Sequence, residues 1–288
     1  MPVRDTIAAL WKAKQEAQIT RFLANVGYAE HMLGYIEHLR GNLESSIEHY
    51  TQAHALFNRV SNQKFAAHMS LNLAENYRYK GDYDRVLEIY QEVYEIMESL
   101  DEVRLQTFAI LNQAMTLLDL GEFSNAHRAL VRTVALMERW PDDLDQKDDV
   151  WCEINYGLAL VHLEQDNPHR AWECAQVALE MAQKEMQPWA LGYAYRVIGI
   201  LVSRLGTVPD ESLSTDPDDH FKKSMLSFRV INAEAEYART MFIQARSLGR
   251  RSERMEAVRK FQQAMLIFNR LGMIDDAARA AEAQLELI

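Results

Sequence analysis

The sequence predicts an all-α solenoid of about six antiparallel helix pairs, and three observations support it. Only 11 Gly and 6 Pro interrupt 288 residues, and the stretches between them are rich in Ala, Leu, Glu, Gln, Met and Arg, which favour helices. The segments LRGNLESSIEHYTQA (39–53), YKGDYDRVLEIYQEV (79–93) and DLGEFSNAHRALVRT (119–133) fall in register, with Gly41, Gly81 and Gly121 spaced 40 and 40. A period of that size means an array of stacked units. Finally, the apolar residues of each segment recur at spacings of 3 and 4, so each helix has one face that only a neighbour can bury.

Taken in order, residues 4–18 read as a helix capping the N-terminal end, and the first unit runs over about 20–60. Units at about 61–100 and 101–140 follow, each a helix, a tight turn at the glycine and a second helix. Leu71, Ala74 and Tyr77, and then Leu111, Ala114 and Leu117, mark the first helices. Val86, Tyr90 and Val93, then Ala126, Leu130 and Thr133, mark the second. The fourth unit, 150–187, puts Asp166 at the glycine position after a step of 45, and the extra residues fall in the acidic WPDDLDQKDD (140–149). Gly206 belongs to the fifth unit, 188–232, where the polar insert TVPDESLSTDPDD separates the two helices. Gly249 is read as the turn of the sixth, 233–270, and a capping helix at 275–287 closes a single domain spanning 1–288. At each turn glycine provides a left-handed position without a Cβ clash. Asn42, Asp82 and Glu122 follow it, placed to cap the next helix or complement its dipole.

Together these residues carry a resemblance. Small residues at Gly34, Ala74, Ala114, Ala159 and Gly199, a turn glycine seven positions on, and Tyr83 or Phe123 two residues after that glycine resemble the tetratricopeptide repeat. The period of 40 is similar to the long-helix variety in bacterial regulators of the maltose-activator type, kinesin light chains and peptide-sensing bacterial regulators. The stretch AVRKFQQAMLIFNRLGMIDDAARAAEAQL (257–285) resembles the closing unit of arrays in large bacterial signalling proteins. The resemblance implies a right-handed superhelix whose concave surface comes from the first helix of each pair.

On that projection the binding surface comprises Tyr28, His31, Tyr35 and His38 in the first unit. It continues with His68, Leu71, Asn72, Glu75, Arg78 and Tyr79 in the second, and Phe108, Leu111, Asn112 and Met115 in the third. Tyr156, Tyr193 and Arg196 extend it. Aromatics bury area at low entropic cost and amides bond main chain, which suits a peptide or a helix of a partner protein. Asn72 and Asn112 stand 40 apart, placed either to clamp a bound main chain or to fix the geometry between helices.

No catalytic constellation appears. The sequence has no GxxxxGK[ST], GxGxxG or GxSxG motif, and none of its nine histidines sits in HExxH or ExxH, so no metal, cofactor or enzymatic activity is expected. Cys152 and Cys174 lack disulfide or zinc spacing and read as small hydrophobes. The net charge of −11 argues against nucleic acid as a partner. That charge is uneven: from His220 onward 12 Lys and Arg face 8 Asp and Glu, giving +4 and leaving −15 for the rest. The basic run GRRSERMEAVRK reads as a solvated turn and helix face. No apolar run is long enough for a membrane span and no signal-peptide core opens the chain, so a cytoplasmic scaffold or adaptor is expected. The alternative is a sensor or oligomerisation module of a bacterial signalling or transcription-regulatory system, acting through self-association as a homodimer.

Overall fold

The computed structural model describes residues 3–140 and 147–287, and their side chains except those of 3–15, 17, 18 and 185. Thirteen helices account for nearly all of the described residues. The first three pairs are α1 (Val3–Leu39) with α2 (Leu43–Arg59), α3 (Gln63–Lys80) with α4 (Tyr83–Ser99), and α5 (Val103–Asp119) with α6 (Phe123–Met137). Next come α7 (Lys147–Glu164) with α8 (Pro168–Glu185), α9 (Pro188–Leu205) with α10 (Pro217–Val230), and α11 (Glu234–Arg250) with α12 (Arg254–Leu271). The last helix is α13 (Ile274–Leu285). Consecutive helices pack antiparallel and consecutive pairs stack, which buries the stripes: Val86, Tyr90, Ala126, Leu130, Thr133, Ala171, Ala175 and Ala178 are fully enclosed.

The turns show a finer period than the 40 visible in the glycines. Left-handed residues fall at Gly41, Ser61, Gly81, Asp101 and Gly121, at Asp166, Met186 and Gly206, and at Asn232, Ser252 and Gly272. Within each of these three runs the step is 20. Each helix therefore ends at the same place in its own repeat, and in most turns the next N–H bonds back five residues, as in Asn42 to Glu37 O, Asn62 to Phe57 O and Glu102 to Met97 O. Glycine takes alternate turns in the first run and only the last turn of the second and third.

Three expectations change here. Gly249 is not a turn residue: α11 continues through it and the chain reverses at Ser252, while a Cβ on Gly249 would stand 3.0 Å from Leu287. Nor do Asn42, Asp82 and Glu122 cap: each occupies the position before its helix without a side-chain cap bond, so the carboxylates of Asp82 and Glu122 act through the dipole alone, and the Asn42 amide donates to Glu37 instead. The cap expected at 4–18 is the beginning of α1 itself, because nothing between 18 and 20 breaks the helix.

Close helix contact within pairs explains the small residues. Gly34 lies under the Tyr50 ring and Gly199 under Phe221, where an added Cβ would come within 2.8 and 2.7 Å of ring carbons. The superhelix also closes on itself. Leu43 and Tyr79 belong to the same buried cluster as α11, α12 and α13, and Gly41 faces Leu271. The last turn of the array thus lies against the first two.

Candidate functional site

The first helices of the early units, as the resemblance implied, form the wall of one groove. Residues of α1, α2, α3, α5, α7 and α9 enclose a cavity of about 720 Å³, within the range of sites that hold small ligands. Of the residues projected onto the concave surface, Tyr35, His38, His68, Leu71, Asn72, Glu75, Arg78, Phe108, Asn112, Met115 and Tyr193 line it. Tyr50, Lys64, Phe65, Arg104, Asp149, Glu153 and Trp189 line it as well, without having been singled out in the sequence. Lys64, Arg104 and Asp149 sit within the first turn or two of α3, α5 and α7, where the repeat pattern gives no signal for them. Tyr50 comes from a second helix and reaches the groove over Gly34.

Asn72 and Asn112 occupy equivalent places on α3 and α5. Their main-chain carbonyls serve Asn76 and the Thr116 hydroxyl, but neither side-chain amide has a hydrogen-bond partner among the described residues. Each amide therefore presents an unused donor and acceptor at the groove. The neighbouring charges are mostly engaged: Lys64 pairs with Glu102 at 2.7 Å, and Arg104 lies over the Phe108 ring.

The opposite wall carries Glu153, whose carboxylate accepts from Trp189 Nε1 at 3.0 Å. Burial pushes its pKa up to about 7, against the lowering effect of the indole bond, and the charges of Glu75 and Asp149 add to the rise. His68 moves the other way. Burial, with His31 and Arg104 nearby, takes it down to about 4, so it is neutral at physiological pH and available as a hydrogen-bonding group.

Several projected residues lie elsewhere. Tyr28 packs edge-on against Phe57 and Phe65, and His31 sits between the rings of Tyr50 and His68. Leu111 is buried in the core. Tyr156 is buried against Tyr193. Tyr79 and Arg196 are corrected outright: both are enclosed and spend their polar groups inside the chain. Tyr79 donates its hydroxyl to Glu236 at 3.0 Å. Arg196 reaches Glu236 Oε2 at 2.6 Å, the Glu236 carbonyl at 2.7 Å and Thr240 at 2.9 Å. The causes differ: Arg196 is covered by α11, the first helix of the next unit, 40 residues on, whereas Tyr79 is covered because closure of the superhelix brings α11 back against α3.

Glu236 is one member of a charged seam beneath the groove. Arg78 bonds Glu75 at 2.6 Å and Asp119 at 2.9 Å, while Arg239 bonds Glu236 at 3.2 Å and Asp276 at 3.1 Å and stands 3.7 Å from Asp119. Burial alone would raise the Glu236 pKa, but Arg196, Arg239 and Arg78 together hold it at about 2. At the rim of the seam Arg279 donates to the Asp119 carbonyl at 2.7 Å, and Tyr83 donates to Asp275 at 2.9 Å. These bonds join residues 160 and 192 positions apart.

The insert after Gly206 is held by the basic run. Arg251 bonds Asp218 at 2.7 Å, and His220 meets the Ser214 carbonyl at 2.8 Å. Among the described residues no group of three or more His, Cys, Asp or Glu is placed to hold a metal, and no helix is long and apolar enough to cross a membrane.

Residues 26–99 match the tetratricopeptide repeat model. The fold is that of a tetratricopeptide-repeat solenoid. The solenoid is similar to a Rap protein complexed with competence and sporulation factor, at 13% identity and a TM-score of 0.59, over 91% of this chain and 74% of that one. It is similar in the same degree to the Rap conjugation gene regulator of the plasmid pLS20 in complex with a Phr peptide, at 14% identity and a TM-score of 0.58, again over 91% and 74%. No curated protein sequence matches it. At these identities the likeness concerns the fold of the solenoid.

Proposed function

We propose that the protein is a non-catalytic interaction scaffold that takes up an extended peptide segment of a partner protein in the groove between α3, α5 and α7. The observation that carries this reading is the pair of free amides at Asn72 and Asn112. Each can donate to a carbonyl and accept from an N–H of an extended main chain, and a regular array presents them at equivalent places on adjacent inner helices. The aromatic lining of Tyr35, Phe65, Phe108 and Trp189 supplies apolar area for alternate side chains. Two structurally similar Rap proteins are described in complex with a peptide or peptide factor, which agrees with this reading.

The groove is also electrically divided. Lys64 and Arg104 lie at the first turns of α3 and α5, with Glu75 deeper on α3 already paired with Arg78, and Asp149 and Glu153 lie at the α7 wall. A segment with a cationic group toward α7 matches that division. The reading is tested by selecting peptides from a random display library against the intact chain, then comparing wild type with Asn72→Ala/Asn112→Ala. The double variant is expected to retain its helical content and lose at least tenfold in affinity. Equal affinity in the two proteins contradicts the groove as the site.

A further inference from the structure

The first helix carries a second surface, independent of the groove. α1 is 37 residues long, against 17 for α2 and 18 for α3. At 1.5 Å per residue it measures roughly 55 Å beside neighbours of roughly 25 Å. Its pairing is set by Gly27 under Phe57 and Gly34 under Tyr50 on one side, and by Tyr28 on Phe65 and His31 on His68 on the other. On that register the end of α2 at Arg59 and the start of α3 at Gln63 stand near residue 25. The helix N-terminal to that point runs on beyond both neighbours.

The outward face of α1 is apolar. Residues 19, 22, 26, 29, 33 and 36 are Ile, Phe, Val, Ala, Leu and Ile, spaced 3, 4, 3, 4 and 3, with no charged residue among them. Phe22 is 66% exposed, Ile19 57%, Leu33 45% and Ile36 42%, and Met32 beside the stripe is 53% exposed. Scattered exposed hydrophobes need no explanation, but a continuous stripe at this spacing is the seam by which helices pack on one another.

We infer that this face of α1 is where a second copy of the chain docks, making an isologous dimer through an α1–α1 contact. Two features select a like helix as the occupant. The alternation of 3 and 4 makes the seam complementary to itself, as a two-fold contact requires. The five exposed side chains offer on the order of 500 Å² per copy, so two copies with their flanking atoms reach the lower bound of a stable interface, about 1,200 Å² in total. A helix that runs past its neighbours also gains most of its stability from packing an apolar face, which a second α1 supplies. An anionic lipid surface is disfavoured by the charge of −15 over the first 219 residues.

Sedimentation of the full chain over a concentration series tests this. The wild type is expected to pass from monomer to dimer and stop there. Phe22→Glu/Leu33→Glu is expected to weaken the dimer at least 100-fold with unchanged helical content, and Ala29→Lys, a milder change in the middle of the seam, by about tenfold. A wild type that stays monomeric to high micromolar concentration overturns the inference, as does a dimer insensitive to all three substitutions. Peptide binding in the groove is read separately, so either result can fail without the other.

Discussion

The inner wall of the solenoid differs along its length. On α3 and α5 it presents Asn72 and Asn112 with their amides unused, beside an open groove. At the corresponding positions of α7 and α9 stand Gly157, which lies under Leu130, and Val197, fully buried. Beyond them the wall is occupied by the chain itself, where Arg196, Glu236 and Arg239 satisfy one another and Tyr79. Polar residues on the same inner wall thus have two fates. Where the superhelix closes they are structural, since each charge has its counter-charge within hydrogen-bond reach. Where it stays open, the amides of Asn72 and Asn112 have no internal partner among the described residues, which is what the proposed peptide site rests on.

The closed region can be broken most severely at Glu236. Glu236→Ala leaves Arg196 and Arg239 buried without their shared carboxylate and is expected to cost about 3–5 kcal/mol in denaturant unfolding. The sign with pH follows from its lowered pKa. Because the folded state holds the carboxylate at about 2, below the unfolded value, the stabilisation is present near neutrality and is lost as pH falls through roughly 4.5 to 2. Glu236→Gln should flatten that part of the stability profile; an unchanged acid transition would show that the seam is not what holds the ends together.

A steric test of the packing within the closed region comes next. Gly192 lies under Phe228, and a Cβ there would stand 2.4 Å from the ring. Gly192→Ala is expected to lower stability by about 1–3 kcal/mol with helical content retained, measured by thermal unfolding.

How far these features were legible in the sequence varies with their physical origin. Gly41, Gly81 and Gly121 reported the architecture because a left-handed turn has a direct preference for glycine. The underlying step of 20 was hidden because Ser61, Asp101, Met186 and Asn232 adopt the same backbone conformation without that residue. Gly249 misled for the opposite reason, since its smallness admits Leu287 rather than a turn. Tyr79 and Arg196 occupy the phase of groove residues; Arg196 is covered by the inner helix of the next unit, while only the pitch of the whole superhelix brings Glu236 onto Tyr79. That pitch sums small rotations over six pairs, which no local pattern encodes. Eleven of the projected residues do line the groove, because helix phase sets which side of each inner helix faces inward.

On the open side, Glu153→Gln offers a smaller effect. The raised pKa of Glu153 means that the folded state favours its protonated form, so its contribution is most favourable at acidic pH and is lost as pH rises toward about 7. The glutamine variant is expected to be more stable than wild type at pH 8, on the order of 1 kcal/mol, and to differ little at pH 5. Tyr83→Phe at the rim of the closure should be smaller still, below about 1 kcal/mol, because Asp275 is partly solvated and keeps its ion pair with Arg279 at 2.9 Å.

The central claim is that the open part of the wall binds an extended peptide through Asn72 and Asn112. Titrating one library-selected peptide into wild type and into Asn72→Ala/Asn112→Ala, followed by the fluorescence of groove residue Trp189 in a variant whose other four tryptophans are phenylalanine, tests it most directly. At least a tenfold loss of affinity with an unchanged melting temperature is the predicted result. Equal affinities, or a loss that only accompanies unfolding, would contradict it.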